Sequence, residues 1–355
     1  MSKTQKQVFS PNKLAVNRER VEAYCRNEPI YPVTMELDLT QKCTRSCPNC
    51  PYGAARRPGL TLSLEFLAKL FAVLGPHVPG LVLSGGEPTS VPYYPEVLAL
   101  ARQSGFREIC TITNGSLLHE PRVQDALLQH ATAVRVSLYD WQEGESPYFR
   151  QSLQSLAVLK QRAVAEGSTL SIAASLLTHG DWADRLEPVG RQALATGVDW
   201  LYFHPYCIDW DTESPYQASQ EGVLQAVERL QSNNGYPGEV QFPYARYERT
   251  PLEFAKLHAG HFLLQVGADG INYAGPECKY EPDYALLDLN QYLEEDFLWL
   301  PERSAKLAAM NSDNYRPIGT RHRPPIISAY VQSVMDGRAP QARSQAGAFH
   351  QPNVI

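Results

Sequence analysis

Residues 34–50 read TMELDLTQKCTRSCPNC, and residues 80–88 read GLVLSGGEP. Each begins as a short run with apolar residues close together and ends abruptly in residues that favour loops. Between them, Ser63 to Leu74 carries apolar residues at helical spacing, so the three pieces spell strand, helix, strand. The same alternation continues along the chain. Strands are expected at Thr34–Leu39, Gly80–Ser84, Glu108–Thr113, Ala133–Leu138, Thr169–Leu177 and Trp200–His204. Helices are expected at Ser63–Leu74, Tyr94–Ser104, Pro121–His130, Arg150–Glu166 and Asp184–Thr196.

Such βα units build a parallel sheet. The expected fold class is α/β, a partial (β/α)6 TIM-like barrel with a small C-terminal α+β extension; periodicity alone does not separate it from a doubly wound sheet. Both architectures place their chemistry at the C-terminal ends of the strands. The expected organisation is a lead-in and helix over 1–32, with the helix from Lys13 to Arg26, the partial barrel over 33–210, an extension covering the barrel mouth over 211–338, and a disordered tail over 339–355. Within the extension, a helix is expected near Gly222–Gln231, then a Pro/Tyr-rich stretch, then a hairpin over Phe262–Tyr273 around Asp269-Gly270, with helical sequence beyond.

The chain has 355 residues, 43% of them hydrophobic and 20% charged, which suits a globular protein with a full core and no bilayer-crossing run. The opening MSKTQKQVFSPNK is polar and basic with no apolar stretch behind it, so no secretory signal is read and a cytoplasmic location is expected. A net charge of −6 gives no global field to attract nucleic acid. Arg321, His322 and Arg323 form a local basic patch, expected to be solvated.

Seven cysteines, an odd number without an export signal, argue for thiol or metal chemistry rather than a disulfide framework. Cys43, Cys47 and Cys50 crowd onto one loop directly after the first expected strand. Iron–sulfur clusters are held by cysteine thiolates, usually four, so three local ligands would leave one iron open to a small molecule. A zinc site usually takes four ligands, and the neighbourhood of Cys50 supplies no local fourth, although distant Cys278 or His204 remain available. Cys25 and Cys110 read as structural.

The C-x₃-C-x₂-C loop, followed one βα unit later by Ser84-Gly85-Gly86-Glu87-Pro88, resembles the signature pair of the radical S-adenosylmethionine (SAM) superfamily over roughly Val33 to His204. That resemblance implies one [4Fe–4S] cluster on Cys43, Cys47 and Cys50, with SAM chelated at the open iron. It implies reductive cleavage of SAM to methionine and a 5′-deoxyadenosyl radical that takes a hydrogen atom from substrate, with flavodoxin or ferredoxin as electron donor. Such chemistry belongs to the cofactor, and the protein supplies placement. Gly85 and Gly86 would let backbone approach the ligand, and Glu87 would accept from the SAM amino group. Asn114, in Thr113-Asn114-Gly115, would either meet SAM or hold a left-handed turn. Ser137 matches a serine that contacts SAM, and Arg150 reads as a partner for the SAM carboxylate or as a surface arginine. Relatives commonly carry an aromatic residue before the third cysteine; here Asn49 stands there, with Tyr52 just beyond.

Val266–Tyr273 followed by Cys278 resembles the start of a SPASM or twitch extension, but no cysteine follows Cys278, so a degenerate extension without an auxiliary cluster is expected. Cys278 reads either as a hydrogen-atom donor to a substrate radical or as a small buried hydrophobe; Cys207 is a weaker donor candidate. His204, Tyr206, Asp209, Asp211 and Glu213 read either as a polar-substrate pocket at the barrel mouth or, for the three acids, as solvated loop residues. The favoured function is an enzyme acting on a small polar substrate, a sugar, nucleoside or amino-acid-derived metabolite, with epimerisation or another redox-neutral rearrangement preferred. Peptide or RNA modification, and a non-catalytic metal-stabilised binding protein, are the alternatives.

Overall fold

Every residue of β1 (Thr34–Thr40) is buried, although only alternate positions are apolar. Met35, Leu37 and Leu39 enter the main core, so Glu36, Asp38 and Thr40 take the opposite face. Burial on both faces is the condition of a parallel strand with helices on one side and an enclosed space on the other. The computed structural model describes residues 11–47, 50, 59–141, 146–205, 220–232, 235–244, 252–294, 296–315, 323–338, 351 and 353–355.

After α1 (Arg18–Cys25) and β1 come α2 (Leu64–Leu74), β2 (Gly80–Gly85), α3 (Tyr94–Gln103), β3 (Glu108–Thr113), α4 (Pro121–His130) and β4 (Ala133–Ser137). They are followed by α5 (Pro147–Ala165), β5 (Ser171–Thr178), α6 (Ala183–Ala195), β6 (Trp200–Pro205), α7 (Gln220–Ser232) and β7 (Glu239–Gln241). The remainder holds β8 (Leu263–Val266), β9 (Ile271–Tyr273), β10 (Ala285–Asp288), α8 (Pro301–Ala309) and α9 (Arg323–Met335). Among the described residues the sheet order is β10-β9-β8-β1-β2-β3-β4-β5-β6-β7. From β1 to β7 each strand pairs parallel with its sequence neighbour. The partial barrel expected from the alternation is therefore the architecture.

Local chemistry explains the boundaries. Ser63 caps α2 by accepting from the Phe66 N–H at 3.1 Å, and Leu67, Leu70, Phe71 and Leu74 bury one face of that helix. The helix expected from Arg150 begins at Pro147 instead, because a proline in the first turn lacks only an N–H that no carbonyl there would accept. The expected helix over 13–26 divides into a 3₁₀ segment, Pro11–Asn17, and α1.

Larger departures lie in the extension. β7 falls in the Pro/Tyr-rich stretch, where no strand is expected, since three residues are too few to show a period. The hairpin around Asp269-Gly270 forms as β8 and β9, and Gly270 supplies φ +78° where a Cβ would also meet the Asn290 side chain at 2.6 Å. Its first strand, β8, pairs parallel with β1, so the extension prolongs the barrel sheet. β10 interrupts a region expected to be helical throughout.

The end of the expected disordered tail is packed. Val354 and Ile355 are buried, and Asn353 gives its backbone and side-chain N–H to Glu108 at 2.8 and 2.7 Å. Lys13, wholly buried, donates to the carbonyls of Gln351 and Val354, each at 2.9 Å. Arg323, expected in a solvated patch, pairs with Glu36 and donates to the Ile355 carbonyl. Arg321 and His322 lie outside the described residues.

Candidate functional site: the cysteine loop and the barrel lumen

Strand register arranges the inward side chains in layers. Glu36 lies level with Val82 and Gln265, and Asp38 with Ser84 one step nearer the strands' C-terminal ends. Ser137 is level with Ser175 and Tyr202. Val82, Cys110, Ala133, Ala173, Trp200, Tyr202 and Val354 form a separate apolar cluster in the lumen. The layers above it are polar, which suits a hydrogen-bonding ligand.

Asp38 organises one side of this space. It accepts from Ser84 Oγ at 2.8 Å, Lys279 Nζ at 2.7 Å and Tyr280 Oη at 2.8 Å. Lys279 and Asp38 are an ion pair with both side chains nearly inaccessible. Tyr280 adopts φ +69°, a strained conformation for a residue with a Cβ. Thus the turn after Cys278 reaches β1 through its next two residues. Cys278 itself lies in another cluster with Leu257, Leu286, Leu307 and Tyr315, its Sγ 3.1 Å from Tyr315 Oη. Sequence reasoning chose the cysteine and missed its neighbours, because a fold-dependent pairing over 241 residues leaves no local signal.

At the end of β1 the chain turns into the cysteine loop, in which the Cys43, Cys47 and Cys50 thiols are half-buried. The Cys50 N–H donates to the Cys47 carbonyl at 3.2 Å. Asn114 Oδ1 accepts from the Ser116 N–H at 2.9 Å, which turns Nδ2 toward Cys43 Sγ at 3.5 Å and Thr44 Oγ1 at 3.1 Å. Burial first, then the Asp140 carboxylate and the Cys43 and Cys50 thiols, push the Cys47 thiol up to about 12, with Arg45 opposing. Metal coordination has to displace that proton.

The Gly-Gly-Glu segment packs against the root of the cysteine loop. A Cβ on Gly85 would lie 2.4 Å from the Thr40 carbonyl oxygen, and one on Gly86 would lie 2.0 Å from that of Lys42. The Gly86 N–H donates to Thr40 at 2.7 Å and the Glu87 N–H to Lys42 at 2.8 Å. The glycines therefore let β2 press against the root of the cysteine loop. Glu87, expected to receive the SAM amino group, is fully buried. Its Oε1 accepts from Thr89 N–H, Thr89 Oγ1 and Thr113 Oγ1 at 3.1, 2.6 and 2.6 Å, and its Oε2 from Asn114 N–H at 2.7 Å. These donors occupy the carboxylate, making Glu87 the tie between the β2 and β3 exits. Burial pushes its carboxyl upward, against the pull of these hydrogen bonds.

Among the other expected residues, Ser84 is committed to Asp38 and Ser137 is half-buried at the end of β4. Arg150 is exposed on the first turn of α5. The arginine that does bind beside the cysteines is Arg45, inside the loop itself. His204, next to last in β6, has its ring 4.8 Å from that of Tyr202. Cys207, Tyr206, Asp209, Asp211 and Glu213, with Asn49 and Tyr52, lie outside the described residues.

Comparison with known proteins places this geometry. Residues 37–162 match the profile of the Radical SAM superfamily, a span that includes all three loop cysteines and the Gly-Gly-Glu-Pro turn. Those residues are a radical SAM domain. The chain is 27% identical over 145 residues to 7,8-dihydro-6-hydroxymethylpterin dimethyltransferase of Methanocaldococcus jannaschii, covering 39% of this chain and 28% of that protein. It is 34% identical over 152 residues to GTP 3′,8-cyclase of Synechococcus sp. (strain CC9605), covering 39% of this chain and 42% of that protein. These curated relatives are thus matched over less than half their length. In fold, the chain resembles Streptococcus suis SuiB bound to S-adenosylmethionine, with TM-score 0.62, 10% identity, and 83% of this chain and 72% of that one covered. It also resembles anSMEcpe with bound AdoMet, with TM-score 0.59, 14% identity, and 78% and 82% covered.

The donor set of the radical SAM domain fits an iron–sulfur cluster. Three cysteine thiols share one loop, and thiolates are the donors that such clusters take. A cluster offers each cysteine a separate iron, whereas zinc draws its ligands to one point.

Proposed function

We propose that this chain is a radical SAM enzyme whose Cys43, Cys47 and Cys50 hold a [4Fe–4S] cluster, with SAM bound at the remaining iron. The observation that carries the reading is the locking of the Gly-Gly-Glu turn onto the cysteine loop: the Gly86 and Glu87 N–H groups bond the carbonyls of Thr40 and Lys42 at the C-terminal ends of β1 and β2. When bound at these cysteines, the cluster would supply one-electron reduction of SAM and so the means of hydrogen-atom abstraction from substrate. The chain's own part is placement. Glu87 fixes the β2 and β3 exits, Asn114 addresses the Cys43 sulfur, and Ser137, half-buried at the lumen edge, is the open candidate for contact with SAM.

The substrate is a small polar molecule, and the support is the polar layer toward the strands' C-terminal ends, where Ser137 is level with Ser175 and Asp38 pairs with Lys279. A redox-neutral outcome is favoured, since beyond the loop cysteines the sequence supplies only scattered thiols for a second cluster. Cys278 is not part of the proposal: its thiol lies in the apolar cluster with Tyr315. Anaerobic reconstitution with iron and sulfide, dithionite reduction and incubation with SAM tests the reading. It predicts 5′-deoxyadenosine from the intact protein and from Cys278→Ala, and none from Cys43→Ala, Cys47→Ala or Cys50→Ala. No 5′-deoxyadenosine from the reconstituted intact protein would sink it.

A further inference from the structure

Arg45 stands between the first two loop cysteines, and its side chain is only 5% exposed. Its guanidinium donates to Asp140 Oδ2 at 2.7 Å and to Ser152 Oγ at 2.9 Å, and lies 5.3 Å from the centre of the Tyr148 ring. Ser152 and Tyr148 belong to α5, and Asp140 follows β4, so one side chain of the loop is gripped by the β4–α5 connection. Gly115 makes room for this grip: it adopts φ +77°, and a Cβ there would meet Ser152 Oγ at 3.2 Å. The other oxygen of the gripped carboxylate, Asp140 Oδ1, lies 3.7 Å from Cys47 Sγ. A carboxylate whose side chain is 12% exposed is thereby held against one of the three loop cysteines, its other oxygen paired with Arg45.

We propose that the Asp140–Arg45 pair positions Cys47 for cluster binding and holds the reduction potential of the bound cluster down. The inference rests on the radical SAM reading of the loop. Adding an electron to a cluster adds negative charge, and a carboxylate oxygen 3.7 Å from the Cys47 sulfur opposes that addition. Hydrogen bonding and net charge around the sulfurs are what set such potentials, and low exposure keeps solvent from screening them. A low potential is what a one-electron donor to a sulfonium requires. Asn114 acts in the opposite sense on Cys43, since an N–H pointed at a sulfur favours the reduced state. Asp140 and Arg45 are positioning residues, because both act through the Cys47 sulfur.

The test compares reconstituted intact protein with Asp140→Asn, Asp140→Glu and Arg45→Met, measuring iron per chain and the midpoint potential by EPR-monitored redox titration. The expected result is a positive shift for Asp140→Asn at undiminished iron content, a negative shift for Arg45→Met, and a return toward the intact value for Asp140→Glu. Unmoved potentials in iron-loaded variants overturn the proposal and leave the radical SAM reading standing. Should Asp140→Asn carry no iron, the Arg45→Met shift decides: a negative shift supports the proposal, and none or a positive one overturns it. Loss of iron from every charge variant would reduce the pair to a tether and overturn its electrostatic role. Failure of the intact protein to take up iron overturns both readings.

Discussion

A single buried carboxylate shows how far residue identity runs ahead of residue role. Glu87 was legible as part of a functional motif, yet it accepts from backbone and hydroxyl donors of the β2 and β3 exits. Glu87→Gln places an NH₂ where donors already point, and removes a charge that those donors solvate. It is expected to destabilise the protein by about 2 kcal/mol or more in urea unfolding; a change within experimental error would show that the carboxylate is not the tie described. Motif spacing marks such a position because the loops must meet there, but it does not say which groups satisfy the side chain. Cys278 illustrates the same limit. Its rarity drew attention, while the contacts to β1 are made by Lys279 and Tyr280, ordinary residues whose importance appears only when the turn folds back on Asp38.

At the scale of elements, the strands and helices of the barrel were legible because each is long enough to show its period, and β3 and α4 span the residues expected of them. β7, of three residues, was not, and the parallel pairing of β8 with β1 joins segments that are distant in sequence. The junction between β2 and the cysteine loop is the element contact on which the site depends. Gly86→Ala forces a Cβ to within 2.0 Å of the Lys42 carbonyl, so backbone has to move. Overpacking of this kind costs about 1–3 kcal/mol, and here the displaced segment carries the cysteines. The variant is expected to bind several-fold less iron than intact protein in parallel reconstitutions. Full iron content in Gly86→Ala would show that the loop holds its shape without that junction.

Across the whole molecule, the two ends of the described chain meet beneath the barrel, where Lys13 donates to the carbonyls of Gln351 and Val354. Burial lowers the Lys13 amine to about 7, and a neutral amine still offers two N–H groups to these carbonyls. The sign of the consequence is fixed: the folded value lies below the ordinary 10.5, so between the two the unfolded chain binds the proton and the folded chain does not. Lys13 therefore contributes stability that rises as pH goes from about 7 to about 10. Urea unfolding across that window is expected to show a rise for the intact protein relative to Lys13→Met, and parallel profiles would contradict it. This packing was invisible in a polar, Pro- and Gly-containing tail, since burial of residues 353–355 depends on partners from β1 and β3. The central claim, however, concerns the opposite end of the barrel: three cysteines hold a cluster with one iron left for SAM. The most direct measurement is EPR of the reconstituted, dithionite-reduced protein with and without SAM. The account predicts a reduced-cluster signal that changes on adding SAM and is lost in Cys47→Ala; a cluster signal indifferent to SAM, or one that survives Cys47→Ala, would contradict it.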